Sequence, residues 1–354
     1  MKILIVGDVH WSEYSSIIRK RGEKYSRRLE NLINSLNWTE EQAELNSCDE
    51  VIYLGDFFDR TELNAAELTA LQEVVWAPVK HKFLVGNHEG LNSNLSVSSA
   101  HLFSMIPNAE VIDKPTMDYT FGYRFLYLPY ILEEDRRPLY EYLTEASEGV
   151  WVTQELKQTI IFSHNDLKMK YGMFESVDGF EPQEIQRLSK LCFNGHLHNK
   201  GKFCDGGYNV GNLTGQNFSE DAREYNHEIC ILDVSTLEPE LQFIENPYAF
   251  NFYKLDAKTE TQVNHCISRL KNNSIVTIKV PESLLLYTRK HLSEQENVKE
   301  YRVVCVPELN NTQGTETTEA ELHVVNHLEE FVKFVQDNME ITTIVQSELN
   351  EVCK

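Results

Sequence analysis

No stretch of this 354-residue sequence approaches the roughly 18–20 consecutive apolar residues that a membrane-spanning helix requires. Its opening residues, Met1-Lys2-Ile3-Leu4-Ile5-Val6, enter a charged, strand-forming segment directly, without the apolar core and small-residue cleavage site of a secretory signal. A cytoplasmic protein with no membrane association is expected. Cysteine is scarce: seven residues, at 48, 192, 204, 230, 266, 305 and 353, are scattered, odd in number and never spaced as a metal or redox pair. They read as reduced thiols that fill the core, not as a disulfide framework or a thiolate metal site. Positive charge is also short, with 33 Lys and Arg against 55 Asp and Glu and a formal net charge of −22. Such an average field repels polyanions, which excludes a protein that binds nucleic acid through a generally basic surface. No internal repeat is visible.

What is present is a recurring pattern at the ends of apolar runs. Phe83-Leu84-Val85 runs into Gly86-Asn87-His88-Glu89, and Ile3-Leu4-Ile5-Val6-Gly7 runs into Asp8-Val9-His10. Val51-Ile52-Tyr53-Leu54-Gly55 ends at Asp56-Phe57-Phe58-Asp59, Thr159-Ile160-Ile161-Phe162-Ser163 at His164, and Leu191-Cys192-Phe193-Asn194-Gly195 at His196-Leu197-His198. Apolar runs of this length read as strands buried on both faces. In open α/β sheets, chemistry collects where the loops leave the carboxyl ends of such strands. Any one of these ends is unremarkable as a turn. Five together deliver carboxylates, imidazoles and an amide to one rim, a nitrogen and oxygen donor set without thiolate and large enough for two divalent ions.

The ordered set Asp-x-His, Gly-Asp-x-x-Asp, Gly-Asn-His-Glu, a lone His and Gly-His-x-His resembles the calcineurin-like metallophosphoesterases. Within them it is most similar to the SbcD-type nucleases of double-strand break repair, including the recombination endonuclease subunits of tailed bacteriophages. The segment from Pro107 to Pro115 adds to the likeness, which covers residues 1 to about 255 well and the remainder only in layout. The resemblance implies an α/β fold: a two-sheet metallophosphoesterase sandwich flanked by helices, with a small α/β capping domain and a C-terminal helix. It implies a metal-dependent DNA nuclease, exonucleolytic on duplex ends and endonucleolytic on single strands, acting in the host cytoplasm if viral. By the same resemblance Asp8, His10, Asp56 and His198 hold one metal, and Asp56, Asn87, His164 and His196 the other. Oxygen and imidazole ligands favour Mn2+, with Mg2+, iron or zinc as competitors. His88, offset from its ligand neighbour, is assigned as general acid, with Asp59 holding its other ring nitrogen.

The sequence departs from the usual pattern of those nucleases, many of which have His where this chain has Asp59 and Asp where it has Glu89. Gly-Asp-x-x-Asp-Arg and Gly-Asn-His-Glu are also similar to the serine/threonine phosphoprotein phosphatases. Against a phosphatase stand the Asp-Val-His-Trp start without a following glycine, the long insertion between His10 and Asp56, and the Gly-His-Leu-His end. A phosphatase or small-nucleotide phosphodiesterase on the same fold is kept as the alternative. A metal-free scaffold is disfavoured because every ligand position is filled.

The resemblance implies a metallophosphoesterase nuclease domain (1–250), a DNA-facing capping domain of βαβαβ pattern (251–308), a polar linker (309–318) and a C-terminal helical segment (319–354). In that last segment Leu322, Val325, Leu328, Phe331, Val332 and Val335 recur at helical spacing on one face. The stripe docks either on its own domain or in the groove of a partner, for which the resemblance suggests an SbcC-type coiled-coil, SMC-like ATPase; a homodimer is expected on the same basis. A local basic run, including Arg19, Arg21, Lys24 and Arg27, reads either as a DNA contact or as a solvated helix face. The remaining histidines read as structural or surface groups, with His227 singled out for its nearness to the rim.

Overall fold

The central strands are apolar on both faces because both faces are covered. In Lys2–Val6, Ile3 and Ile5 enter one core cluster while Leu4 and Val6 enter another, and in the neighbouring strand Ile52, with Leu54 just past its end, opposes Val51 and Tyr53 in the same way. Side chains of a strand alternate between faces, so a sheet buried twice needs an unbroken apolar run. The computed structural model describes residues 1–306 apart from 92–93, 121, 147–157, 172–173 and 237; the expected linker and C-terminal helix lie outside the described residues.

One six-stranded sheet runs in the order Glu240–Glu245, Glu228–Asp233, Lys2–Val6, Glu50–Tyr53, Lys80–Leu84, Ala109–Ile112. The last four are mutually parallel, and the first two form an antiparallel edge against Lys2–Val6. A second six-stranded sheet runs Gly201–Cys204, Gly207–Asn209, Leu191–Asn194, Thr159–Ser163, Tyr123–Leu128, Thr116–Thr120, parallel in its centre and antiparallel at both edges. Between the sheets lie Ile3, Ile5, Ile52, Leu54, Phe125, Tyr127, Ile160, Phe162 and Phe193. This is the expected mixed α/β sandwich.

Helices cover the outer faces. Arg27–Leu45 starts at Ser26, whose side chain accepts from the Leu29 amide, and buries Leu29, Leu32, Ile33 and Leu36 on the first sheet. Leu139, Tyr142, Leu143, Ile185 and Leu188, from two shorter helices, cover the second. A short helix, Ala65–Leu71, starts at Asn64, whose side chain accepts from the Glu67 amide. A few residues on, Pro78 and the tight turns before it commit the chain to leave the helix. From Asn251 a three-stranded parallel sheet, Asn251–Asp256, Ser274–Pro281 and Val298–Val306, alternates with helices Glu260–Ile267 and Leu285–Ser293, the βαβαβ pattern foreseen from the sequence. No helix among the described residues is long and apolar enough to cross a membrane.

Candidate metal centre

Parallel pairing aligns strand ends, so the five motif-bearing loops leave the two sheets on one edge. Asp8, His10 and His198 bring ligand atoms within 4.8 Å of one another; so do Asp56, His164 and His196, and so do His10, Asp56 and His88. Asp56 links the groups, with Oδ2 3.1 Å from His164 Nε2 and 3.9 Å from His10 Nε2. The Asn87 amide oxygen lies 3.2 Å from His164 Nε2 and 3.0 Å from His196 Nδ1. All seven residues expected as ligands thus share one cluster, and His88 stands at its exposed side, its ring 4.9 Å from that of His10 and perpendicular to it.

Each inward imidazole is held from behind. His164 Nδ1 donates to the Leu54 carbonyl at 2.7 Å, His196 Nε2 faces Asp166 Oδ1 at 2.9 Å, His198 Nδ1 faces Glu220 Oε1 at 3.2 Å, and His10 Nδ1 faces Asp59 Oδ1 at 3.2 Å. An acceptor on the outer nitrogen fixes the tautomer and turns the other nitrogen's lone pair inward, the arrangement found behind metal-bound histidines. Nε2 of His10 and Nε2 of His198 then face each other at 3.2 Å, and Asp8 Oδ2 is buried with no hydrogen-bond partner. Facing lone pairs and an orphaned carboxylate oxygen are unfavourable on their own, and a cation between them satisfies both.

Electrostatics give the same result. Burial pushes the Asp56 carboxyl up, but His164, His10 and His88 outweigh it and hold it well below the usual carboxylate range. Burial opposes the charging of His164, yet Asp56, Asp8 and Glu89 raise it to about 9. His198 is likewise raised, with Glu220 and Asp8 overcoming burial. The cluster is anionic enough to favour the charged forms of His164 and His198, a charge that bound divalent cations would supply instead. The residues present therefore fit two metal ions.

Close packing and strain hold the rim. His10, Asp56 and His196 all have positive φ, at 49°, 45° and 69°, a region costly for residues with a side chain. A Cβ on Gly86 would lie 2.1 Å from Asp56 Oδ1, so only glycine lets that loop pass. Glu89 is fully buried beneath the rim, accepts from the amides of Gly86 and Phe58, and is pushed up to about 7 by burial and by Asp56.

The role expected for Asp59 is divided differently. Its carboxylate meets His10, and it is its backbone carbonyl that accepts from His88 Nδ1 at 3.0 Å. The basic run is also heterogeneous. Arg19 and Arg21 are exposed, Lys24 pairs with Glu73, and Arg27 donates to the Lys299 carbonyl in the third sheet. Arg28, in the same run, is buried and donates to the His10 carbonyl at 3.0 Å. His227 is buried, its Nδ1 against the Asn212 carbonyl, and is not on the rim. Sequence reasoning missed Asp166, Glu220 and Arg28 as supports. Asp166 lies two residues beyond a motif histidine, whereas Glu220 carries no local signal.

Residues 1–222 match the family described as calcineurin-like phosphoesterase. Among solved structures, similar folds include a purple acid phosphatase from yellow lupin seeds (15% identity, TM-score 0.45, covering 70% of this chain and 51% of that one). A dimetal phosphatase from Danio rerio (14%, 0.43, 70% and 96%) and a hypothetical protein from Thermus thermophilus (12%, 0.39, 70% and 100%) are also similar. The chain thus spans about half the length of the lupin enzyme. No curated protein matches the sequence.

Proposed function

From the premise that the chain belongs to the calcineurin-like phosphoesterases, metal-dependent hydrolases that bind two divalent ions, we propose that it is a DNA nuclease of the SbcD type. In this reading it hydrolyses phosphodiesters as a duplex exonuclease and single-strand endonuclease. Asp8, His10, Asp56 and His198 hold one ion, and Asp56, Asn87, His164 and His196 the other, with Mn2+ preferred. When bound, the ions supply Lewis acidity for the phosphoryl oxygens and make water acidic enough to attack near neutral pH. The observation that carries the proposal is the convergence of these seven side chains with an exposed His88 beside them.

His88 Nδ1 must carry a proton, since a carbonyl only accepts. Nε2 is then the nitrogen that holds the transferable proton when the ring is charged. His88 delivers this proton to the departing oxygen. Arg60, the residue that makes the motif similar to phosphoprotein phosphatases, binds both oxygens of Glu67 and the Ser12 hydroxyl. These bonds tie it to the scaffold.

DNA as substrate is supported by a cavity of about 510 Å3 between the Ser16–Arg19 loop and the third sheet, where Arg19, Lys254 and Arg302 stand with Phe218 and Tyr301, and where the carboxylate of Glu300 lies near Lys20 and Arg27. Cations interleaved with aromatic faces suit a nucleic-acid strand. A homodimer and an SMC-like ATPase partner bound through residues 319–354 complete the proposal. Cleavage of end-labelled duplex and single-stranded DNA with Mn2+, beside a chromogenic phosphodiester and phosphomonoester, tests it. DNA cleavage that disappears in His88→Ala supports the nuclease; turnover of small monoesters alone replaces it with a phosphatase.

A further inference from the structure

Beside the metal centre lies a second concavity of about 650 Å3, within the roughly 300–1,000 Å3 of small-molecule sites. It begins at Asn87, one of the proposed ligands, and its walls are Leu95, Pro115, Pro129, Tyr130, Ile131 and Leu132. The Tyr130 ring leans over the centre, 5.9 Å from the His196 ring and tilted 35° to it. We propose that this pocket binds the nucleobase flanking the scissile phosphate, with Tyr130 as the face on which the base stacks. The proposal rests on the phosphodiesterase reading of the adjoining site and names the part of the substrate that fills its flank.

Continuity fixes the occupant's attachment. A phosphoester centred among Asn87, His164 and His196 places one substituent at the mouth of the pocket, because Asn87 lines both spaces. Charge fixes its character. The ionised groups at the edge are Asp113 and Asp135 against Lys114, so a further phosphate is repelled and a neutral group enters. The apolar walls and the aromatic face favour a flat, weakly hydrated ring over a sugar, and stacking on a side-chain ring accepts any base.

The wall is also rigid where it meets the centre. The side chain of Asn165 accepts from the Ile131 amide and donates to the Leu128 and Pro129 carbonyls, at 3.0, 3.3 and 2.9 Å. Arg136 Nη2 donates to the Ile131 carbonyl at 2.7 Å and lies 3.7 Å from Asp166 Oδ2, and the other oxygen of Asp166 holds His196. One network therefore fixes both a metal-facing imidazole and the stacking wall, which sets the distance between phosphate and base before substrate arrives.

The test compares thymidine 5′-(p-nitrophenyl phosphate) with methyl p-nitrophenyl phosphate, which share a leaving group and differ in the nucleoside. In the wild-type protein with Mn2+, kcat/KM is expected to favour the nucleotide ester by about tenfold, in the range that base stacking supplies. That ratio should collapse towards unity in Tyr130→Leu and in the pocket-filling Leu95→Trp, and persist in Tyr130→Phe, with melting curves confirming that each variant is folded. A wild-type ratio near one, or a ratio unmoved by both disruptive variants, overturns the proposal. A retained ratio without any DNA cleavage removes the nuclease reading and leaves the pocket. DNA cleavage without the ratio does the reverse, and turnover of neither ester removes both.

Discussion

The backbone carbonyl of Asp59, 3.0 Å from Nδ1 of His88, orients the proposed proton donor, while the carboxylate of the same residue lies 3.2 Å from Nδ1 of His10. Substitution at residue 59 therefore separates two roles. Asp59→Ala keeps the carbonyl and removes the support behind His10, so metal affinity should fall about 10–100-fold, as for other supports behind metal-bound histidines. His88→Ala should keep metal and lose about 10²–10⁴ in cleavage rate. Asp56→Ala should lose both metal and cleavage, because Asp56 faces both groups of ligands. Calorimetric Mn2+ titration of the three variants decides; equal metal loss in His88→Ala and Asp56→Ala would make His88 a ligand.

Gly86 touches Asp56 so closely that a methyl group cannot enter, since its Cβ would stand 2.1 Å from Oδ1 and 2.4 Å from the backbone nitrogen. Both clashing groups belong to a residue with strained backbone at φ 45°, so relaxation must move Asp56 itself. Gly86→Ala is expected to destabilise the fold by about 1–3 kcal/mol, as overpacking does, and to weaken metal binding beyond detection at micromolar Mn2+. Denaturant melts and metal analysis check both; normal metal content would show that Asp56 need not stay where it is.

The strands and the order of motifs were legible because burial on both faces leaves an unbroken apolar run, and the turn after it carries carboxylates, imidazoles or an amide. Asp8, His10, Asp56, Asn87, His164, His196 and His198 all follow such runs, and the structure brings their side chains together. What holds them was not legible. Glu220 reaches His198 across a glycine- and asparagine-rich loop, and Arg28 looks like one more cation in a basic run until the helix turns it beneath His10. Positive φ at His10, Asp56 and His196 is imposed by tertiary contacts, and only the adjoining Gly55 and Gly195 hint at it. The two-way use of Asp59 depends on carbonyl direction, which residue type does not encode.

In the sequence, the apolar stripe of residues 322–335 follows the polar stretch 309–318. If the chain is the proposed SbcD-type nuclease with an SMC-like ATPase partner, truncation before Glu316 is expected to leave basal nuclease activity intact and to abolish binding to that ATPase. Pull-down with that ATPase beside nuclease assays of the truncated chain tests this. A truncated protein that no longer folds would show that the stripe packs on its own domain.

Glu50 lies at the opposite end of the strands from the metal centre and is buried, with Lys82 Nζ 3.9 Å away and Lys82 itself bound to Glu110 and Asp118 at 2.5 and 2.9 Å. Burial pushes its carboxyl up to about 7; Lys82 and Lys80 oppose the shift, and Asp118 and Glu110 add to it. In the unfolded chain the same group loses its proton near pH 4.3. Between these values Glu50 holds more protons in the folded state than in the unfolded one, so its contribution to stability falls as pH rises from about 4.5 to about 7 and levels off above that. Glu50→Gln removes the ionisation and leaves Lys82 its two closer carboxylates. The variant should match the wild type at pH 4.5 and exceed it at pH 8 by on the order of 1–3 kcal/mol. Urea midpoints across that range provide the check, and a gap that does not widen with pH would mean that Glu50 is already ionised in the folded protein at pH 4.5.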